Sequence, residues 1–117
     1  MSTPLLCLSA CPDAETAARI ARTLVEERLA ACVNRLPGVV STYRWQGEIH
    51  EDDEVLLLIK TTRERFATLR ERLAELHPYE VPELVALDIA EGLPAYLDWL
   101  TRETEALGGG THEGLRK

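Results

Sequence analysis

Val39-Val40-Ser41-Thr42-Tyr43-Arg44-Trp45-Gln46-Gly47-Glu48-Ile49-His50 is the stretch that decides the fold. β-Branched and aromatic residues dominate it, and Gln46-Gly47 reads as a tight turn between two strands. Upstream, the first arm reaches back to Ala31-Cys32-Val33-Asn34-Arg35-Leu36, interrupted by Pro37-Gly38. Proline removes a ladder donor and glycine permits an unusual dihedral, so the interruption reads as a bulge or bend. Downstream, the second arm passes the acidic Glu51-Asp52-Asp53-Glu54 into Val55-Leu56-Leu57-Leu58-Ile59-Lys60. At about 3.3 Å per residue it would span about 40 Å from Glu48 to Lys60, against ~20 Å for an ordinary strand. Part of the hairpin must therefore overrun the sheet. Tyr43, Trp45 and Ile49 lie toward the overrunning end, where their own subunit covers them poorly, and an exposed apolar ribbon of this kind is satisfied by a second copy. A closed homo-oligomer is expected.

Around the hairpin the chain alternates strand and helix. Leu5-Leu6-Cys7-Leu8-Ser9-Ala10, bounded by Pro4 and Pro12, has the continuous apolar character of a central strand. Asp13 can cap a helix in which Ala17, Ile20, Ala21, Leu24, Val25 and Leu29 recur at helical spacing. After the hairpin, Thr61-Thr62-Arg63-Glu64 resembles a capping box, and Phe66, Leu69, Leu73 and Leu76 mark a second amphipathic helix. A strand over residues 84–89 follows, and Pro94 opens a last helix with Tyr96, Trp99, Leu100 and Glu103 on one face. The order β-α-β-β-α-β plus a C-terminal helix is the ferredoxin-like split βαβ pattern of the α+β class, an antiparallel sheet with helices on one face. One domain over residues 1–107 fits the 117-residue length. Residues 108–117, with the glycine triplet and His112, have no apolar face and are expected to be disordered.

Between the second helix and the last strand lies His77-Pro78-Tyr79-Glu80-Val81-Pro82-Glu83. It concentrates an imidazole, a phenol and carboxylates on a segment stiffened by two prolines, which also push His77 and Val81 into extended conformations. Stiffness of this kind suits groups that must bind something.

Thirteen basic residues against 20 acidic ones give a net charge of −7 with no basic cluster, which excludes nucleic acid as a natural partner. No apolar run approaches a membrane span and the N-terminus carries no secretory leader pattern, so a soluble cytoplasmic protein without membrane insertion is expected. Three cysteines, Cys7, Cys11 and Cys32, without a Cys-x-x-Cys point to reduced thiols, and buried packing is their ordinary role. There is no Gly-x-Ser-x-Gly, His-Glu-x-x-His, Walker loop or dinucleotide fingerprint. A non-enzyme is expected.

Several exact stretches resemble one family. Glu27-Arg28-Leu29-Ala30-Ala31-Cys32-Val33-Asn34, Pro37-Gly38, Ser41 with Tyr43 and Trp45-Gln46-Gly47, Glu54, Lys60-Thr61, His77-Pro78-Tyr79 with Pro82-Glu83, and Tyr96-Leu97-Asp98-Trp99 are similar, in order and spacing, to the CutA divalent-cation-tolerance proteins. The resemblance implies a ferredoxin-like subunit in a homotrimer whose long hairpins wrap neighbouring subunits, an architecture like that of PII signalling proteins. It also implies a role in tolerance and response to heavy-metal ions, with copper as the usual biochemical assignment. Its copper proposals combine a first-strand cysteine with residues that fall here on His77 and Glu83. The family's frequent cysteine position holds Ser9 in this chain, with Cys7 and Cys11 two residues to either side, on the same strand parity.

On that basis His77 and Glu83, with Cys7 or Cys11, are the candidate metal ligands. A thiolate would favour Cu(I), whereas nitrogen and oxygen donors alone suit Cu(II). The competing structural role has His77 ending the second helix and Glu83 paired with it or with Lys60. A different class of function is a receptor for a small molecule or anion, with Trp45, Lys60 and Tyr79 lining an inter-subunit cleft beside His77 and Glu83. A third is a trimeric scaffold without a ligand. The acidic run 51–54 lacks a calcium-loop pattern and reads as a solvated edge.

Overall fold

The computed structural model describes residues 3–106. They form β1 (Pro4–Cys11), α1 (Ala14–Glu26), β2 (Cys32–Trp45), β3 (Glu48–Thr62), α2 (Arg63–Leu76), β4 (Val85–Asp88) and α3 (Pro94–Glu103). The four strands make one antiparallel sheet in the order β2-β3-β1-β4. This is the expected ferredoxin-like α+β topology. The tail expected over 108–117, with His112, lies outside the described residues.

Strand parity builds the two faces of the sheet. Leu5, Cys7 and Cys11 of β1 and Leu57 and Ile59 of β3 are buried with Ala17, Ile20 and Leu24 of α1 and Leu69 and Leu73 of α2, a single core between the sheet and two helices. The alternate residues look the other way. There the register sets Leu87 beside Leu6, and Val85 beside Leu8, itself opposite Leu58. Val85 and Leu87 remain 50% and 48% exposed, so this second face is apolar and largely uncovered. Only toward the Lys60 end does α3 approach it, where Tyr96 reaches Cys32.

The hairpin has the length and the irregularity read from the sequence. Between the Leu36–Leu56 and Val39–Glu54 pairs, β2 advances three residues while β3 advances two, and Gly38 takes φ +81°. That is a β-bulge at Pro37-Gly38. At the tip Gln46 and Gly47 have φ values of 52° and 82°, the double positive φ of a type I′ turn. β1 pairs with β3 only from Val55 to Thr62, so residues 48–54 have β2 as their one strand neighbour. At about 3.3 Å per residue, this two-stranded ribbon overhangs by ~23 Å. It gives the subunit its long dimension of 50 Å.

Helix ends differ from expectation in two places. Asp13 caps α1 as expected, accepting from the Thr16 N–H at 2.7 Å. The helix stops at Glu26, before Leu29, because Arg28 adopts φ 60° and the Leu29 and Arg28 N–H groups return to the Leu24 and Val25 carbonyls. This is a Schellman motif with arginine where glycine is usual. The Arg28 guanidinium compensates by donating to the carbonyls of Arg102 (2.7 Å) and Glu105 (3.1 Å), capping the end of α3. The capping box expected at 61–64 does not form. Thr62 is the N-cap without a side-chain bond, while the Thr61 hydroxyl points into the core and donates to the Leu29 carbonyl at 2.6 Å.

Candidate functional site

Pro78 ends α2 by forcing His77 to φ −82°, ψ 136°, and the ring turns inward instead of continuing the helix. Its Nε2 lies 2.7 Å from the Ala10 carbonyl oxygen, and its Nδ1 accepts the Tyr79 N–H at 3.2 Å. A carbonyl can only accept and an amide can only donate, so this pairing fixes a neutral ring protonated on Nε2. His77 is 6% exposed with both ring nitrogens engaged. A second tie to β1 holds the far end of the segment, where the Ser9 hydroxyl donates to the Glu83 carbonyl at 2.7 Å. Ser9 is thus a clamp on the backbone.

Tyr79 turns the other way, into the space under the hairpin. Its hydroxyl donates to a Glu54 carboxylate oxygen at 2.7 Å. Burial, then the hydrogen bond to Glu54 and the charge of that carboxylate, push the Tyr79 phenol well above its usual range, so it stays a donor. Glu54 sits just past the bulge, opposite Val39, and is 8% exposed. Nearby, the Tyr43 hydroxyl donates to Asp52, a bond that raises the phenol's pKa, and its ring stacks on His50. Hairpin and segment together enclose an open cleft of about 780 Å³, lined by Tyr43, Trp45, Glu54, Tyr79, Glu80 and Glu83 among others.

Of the expected site residues, Trp45, Tyr79 and Glu83 meet in this cleft. Lys60 does not line the cleft of its own subunit. It lies six residues further along β3 than Glu54, ~20 Å away by strand rise, with its ammonium bonded to Asn34 Oδ1. His77 supports the cleft from behind without a free nitrogen, and Glu83 pairs with neither His77 nor Lys60 among the contacts described. Cys7 and Cys11 share the parity of Ser9 but are fully buried, and burial pushes both thiols up to about 11, with the Glu54 charge adding to the shift at Cys11. Both are neutral thiols at physiological pH unless a bound metal displaces the proton. Among the described residues no three His, Cys, Asp or Glu side chains are grouped to hold a metal ion. The residues of one subunit therefore do not fit a His–Cys copper centre.

Sequence reasoning missed Glu54 as the centre of the site because it stood at the end of a charged run. The available signal was its place next to the buried Val55 and two residues past the bulge.

A four-stranded antiparallel sheet in the order 2-3-1-4, helices α1 and α2 on one face, and a hairpin overhanging a cleft define a ferredoxin-like α+β protein built around that ribbon. Within this class, the model of the CutA1 divalent ion tolerance protein family matches residues 5–103, and the chain belongs to that family. It is 62% identical over 93 residues to the divalent-cation tolerance protein CutA of Thermus thermophilus, covering 80% of this chain and 90% of that protein. It is 47% identical over 97 residues to protein CutA of Mus musculus, 83% of this chain but 55% of the mouse protein, so it spans about half the length of that relative. The solved T. thermophilus structure superposes with a TM-score of 0.85 at 58% identity, over 87% of this chain and 99% of that one. CutA from Xylella fastidiosa gives 0.86 at 50% identity, over 89% and 100%. The family is one of divalent-cation tolerance and not of enzymes.

Proposed function

We propose that the protein works in divalent-cation tolerance as a cytoplasmic homotrimer of PII-like architecture, and that copper or another heavy-metal ion is its cargo, met by carboxylates at the cleft. The observation that carries this reading is the division of the expected donors. His77, Cys7 and Cys11 are sequestered, whereas Glu83 is exposed at the cleft beside Glu80. One subunit supplies too few donors for a metal shell, and an overhanging hairpin from a neighbour is the means of completing it.

Two features support assembly. On one sheet face Leu6, Leu8 and Leu58 are half-buried and Val85 and Leu87 exposed, and the ribbon exposes Val40, Tyr43, Trp45 and Ile49. Apolar surface of that extent is commonly an interface. Light scattering at micromolar concentration should give a mass of three times the 13.1 kDa chain, and a stable monomer would sink the reading.

A second reading, a receptor for a small molecule, is favoured by the cleft itself. Its volume of about 780 Å³ and its aromatic walls are of the kind that bury a small organic ligand. With Lys60 elsewhere, the lining holds no cationic group among the described residues to favour an anion.

A further inference from the structure

The cleft under the hairpin has a one-sided chemistry. Tyr43, Trp45 and Tyr79 supply aromatic surface, Glu54, Glu80 and Glu83 supply carboxylates, and among the described residues no lysine, arginine or histidine lines it. Glu54 is the telling member. It is more than nine-tenths buried, its one described partner is the neutral Tyr79 hydroxyl, and none of the described ion pairs includes it. Burying a carboxylate is costly unless a positive charge compensates it. Tyr79 satisfies one oxygen of Glu54 but leaves its charge uncompensated.

We propose that this cleft binds a small organic cation, a protonated or quaternary amine, seated against Trp45, Tyr43 and Tyr79 with its charge facing Glu54. The proposal rests on the small-molecule reading of the cleft and names the ligand class. Three alternatives fit the lining less well. An anion would meet three carboxylates. A neutral apolar ligand would deepen the burial of Glu54 without compensating it. A bare divalent ion would be held by the exposed carboxylates of Glu80 and Glu83 and would draw nothing from the aromatic walls, which offer no lone pairs. An alkylammonium group is weakly hydrated, carries apolar substituents to bury, and is attracted to both the ring faces and the carboxylate. Aromatic walls with a nearby acid are a recurrent solution for such ligands.

The test uses benzyltrimethylammonium as probe and benzoate as its anionic counterpart, titrated by calorimetry into the full-length protein and into Glu54→Gln and Trp45→Leu variants. Glutamine keeps an acceptor for the Tyr79 hydroxyl while removing the charge. Trp45 lies outside the subunit core, so its replacement spares the fold even if Glu54→Gln folds poorly, and light scattering on each variant checks that the assembly is that of the wild type. Saturable binding of the ammonium at one per chain is expected, with benzoate at least tenfold weaker and each variant weakened about tenfold, or ~1.4 kcal/mol. If benzoate bound as tightly as the ammonium, the cation assignment would be overturned while the cleft remained a ligand site. Failure of both probes to saturate in the millimolar range would overturn the ligand reading as well. Unchanged ammonium affinity in both variants would place the binding elsewhere and refute the proposal.

Discussion

Replacing His77 by alanine separates a structural imidazole from a metal-binding one. The ring is buried, and its Nε2–H is the described partner of the Ala10 carbonyl, itself on a residue only 4% exposed. Removing the ring leaves that carbonyl without its donor, a loss of about 1–3 kcal/mol. The void adds ~1–2 kcal/mol, less than a full aromatic truncation because the segment beside it is partly open to solvent. The Tyr79 N–H, on a half-exposed residue, can turn to water at little cost. His77→Ala should therefore lose about 2–5 kcal/mol of stability. His77→Gln, which offers both a donor and an acceptor, should recover part of it. Urea unfolding at matched protein concentration reads both values, since assembly makes stability concentration-dependent. Copper titration of the folded variant should give the wild-type affinity. An alanine variant within about 0.5 kcal/mol of wild type that no longer binds copper would refute the structural assignment.

Other consequences are equally concrete. Arg28→Ala should cost about 2 kcal/mol by removing two charge-assisted bonds to the end of α3, discounted for partial exposure, and Arg28→Gly about 1 kcal/mol less, because glycine relieves the left-handed backbone at φ 60°. A glycine variant less stable than the alanine one would contradict that reading in thermal melts. Gly47→Ala meets no atom within 4 Å, so its cost of about 1–2 kcal/mol is purely that of φ +82° and should appear as a lower melting temperature without aggregation. A variant as stable as wild type would exclude that backbone strain. Native protein should titrate with a thiol reagent at Cys32 while Cys7 and Cys11 react only on unfolding. Because burial raises both of those thiols from 9.0 to about 11, the native state favours their neutral form. The stability this gives is complete below pH 9 and lost as pH climbs toward 11. Unfolding curves across that range should show the decline, reduced in a Cys7→Ala, Cys11→Ala double variant; an equal decline there would assign it to other groups.

Much of this fold was legible because it depends on local rules. Pro37-Gly38 announces a bulge, Gln46-Gly47 a hairpin turn, Asp13 a cap and Pro78 a helix end, and each acts within a few residues of itself. What stayed hidden depends on partners that a sequence does not display. The inward turn of His77 is set by a backbone carbonyl at Ala10, 67 residues away. Thr61 looked like the start of a capping box, but strand parity commits it to the core, two residues before the helix begins. Lys60 was grouped with the cleft residues as one polar group among several, whereas within a subunit the rise of β3 sets it six residues from Glu54, bonded to Asn34. Glu54 shows the reverse error. Charge composition made it part of a solvated edge, and the bulge together with Tyr79 made it a buried acid.

The most direct test of the proposed cation handling is a Cu(II) titration by calorimetry against a competing chelator, on wild type, Glu83→Gln, and a Cys7→Ser, Cys11→Ser double variant. Binding weakened at least tenfold by Glu83→Gln and untouched by the cysteine replacements is the expected result, placing the ion at the cleft carboxylates. Affinity that survives the loss of Glu83 but disappears with Cys7 and Cys11 would contradict it, and would mean that the buried thiols open to form the metal centre.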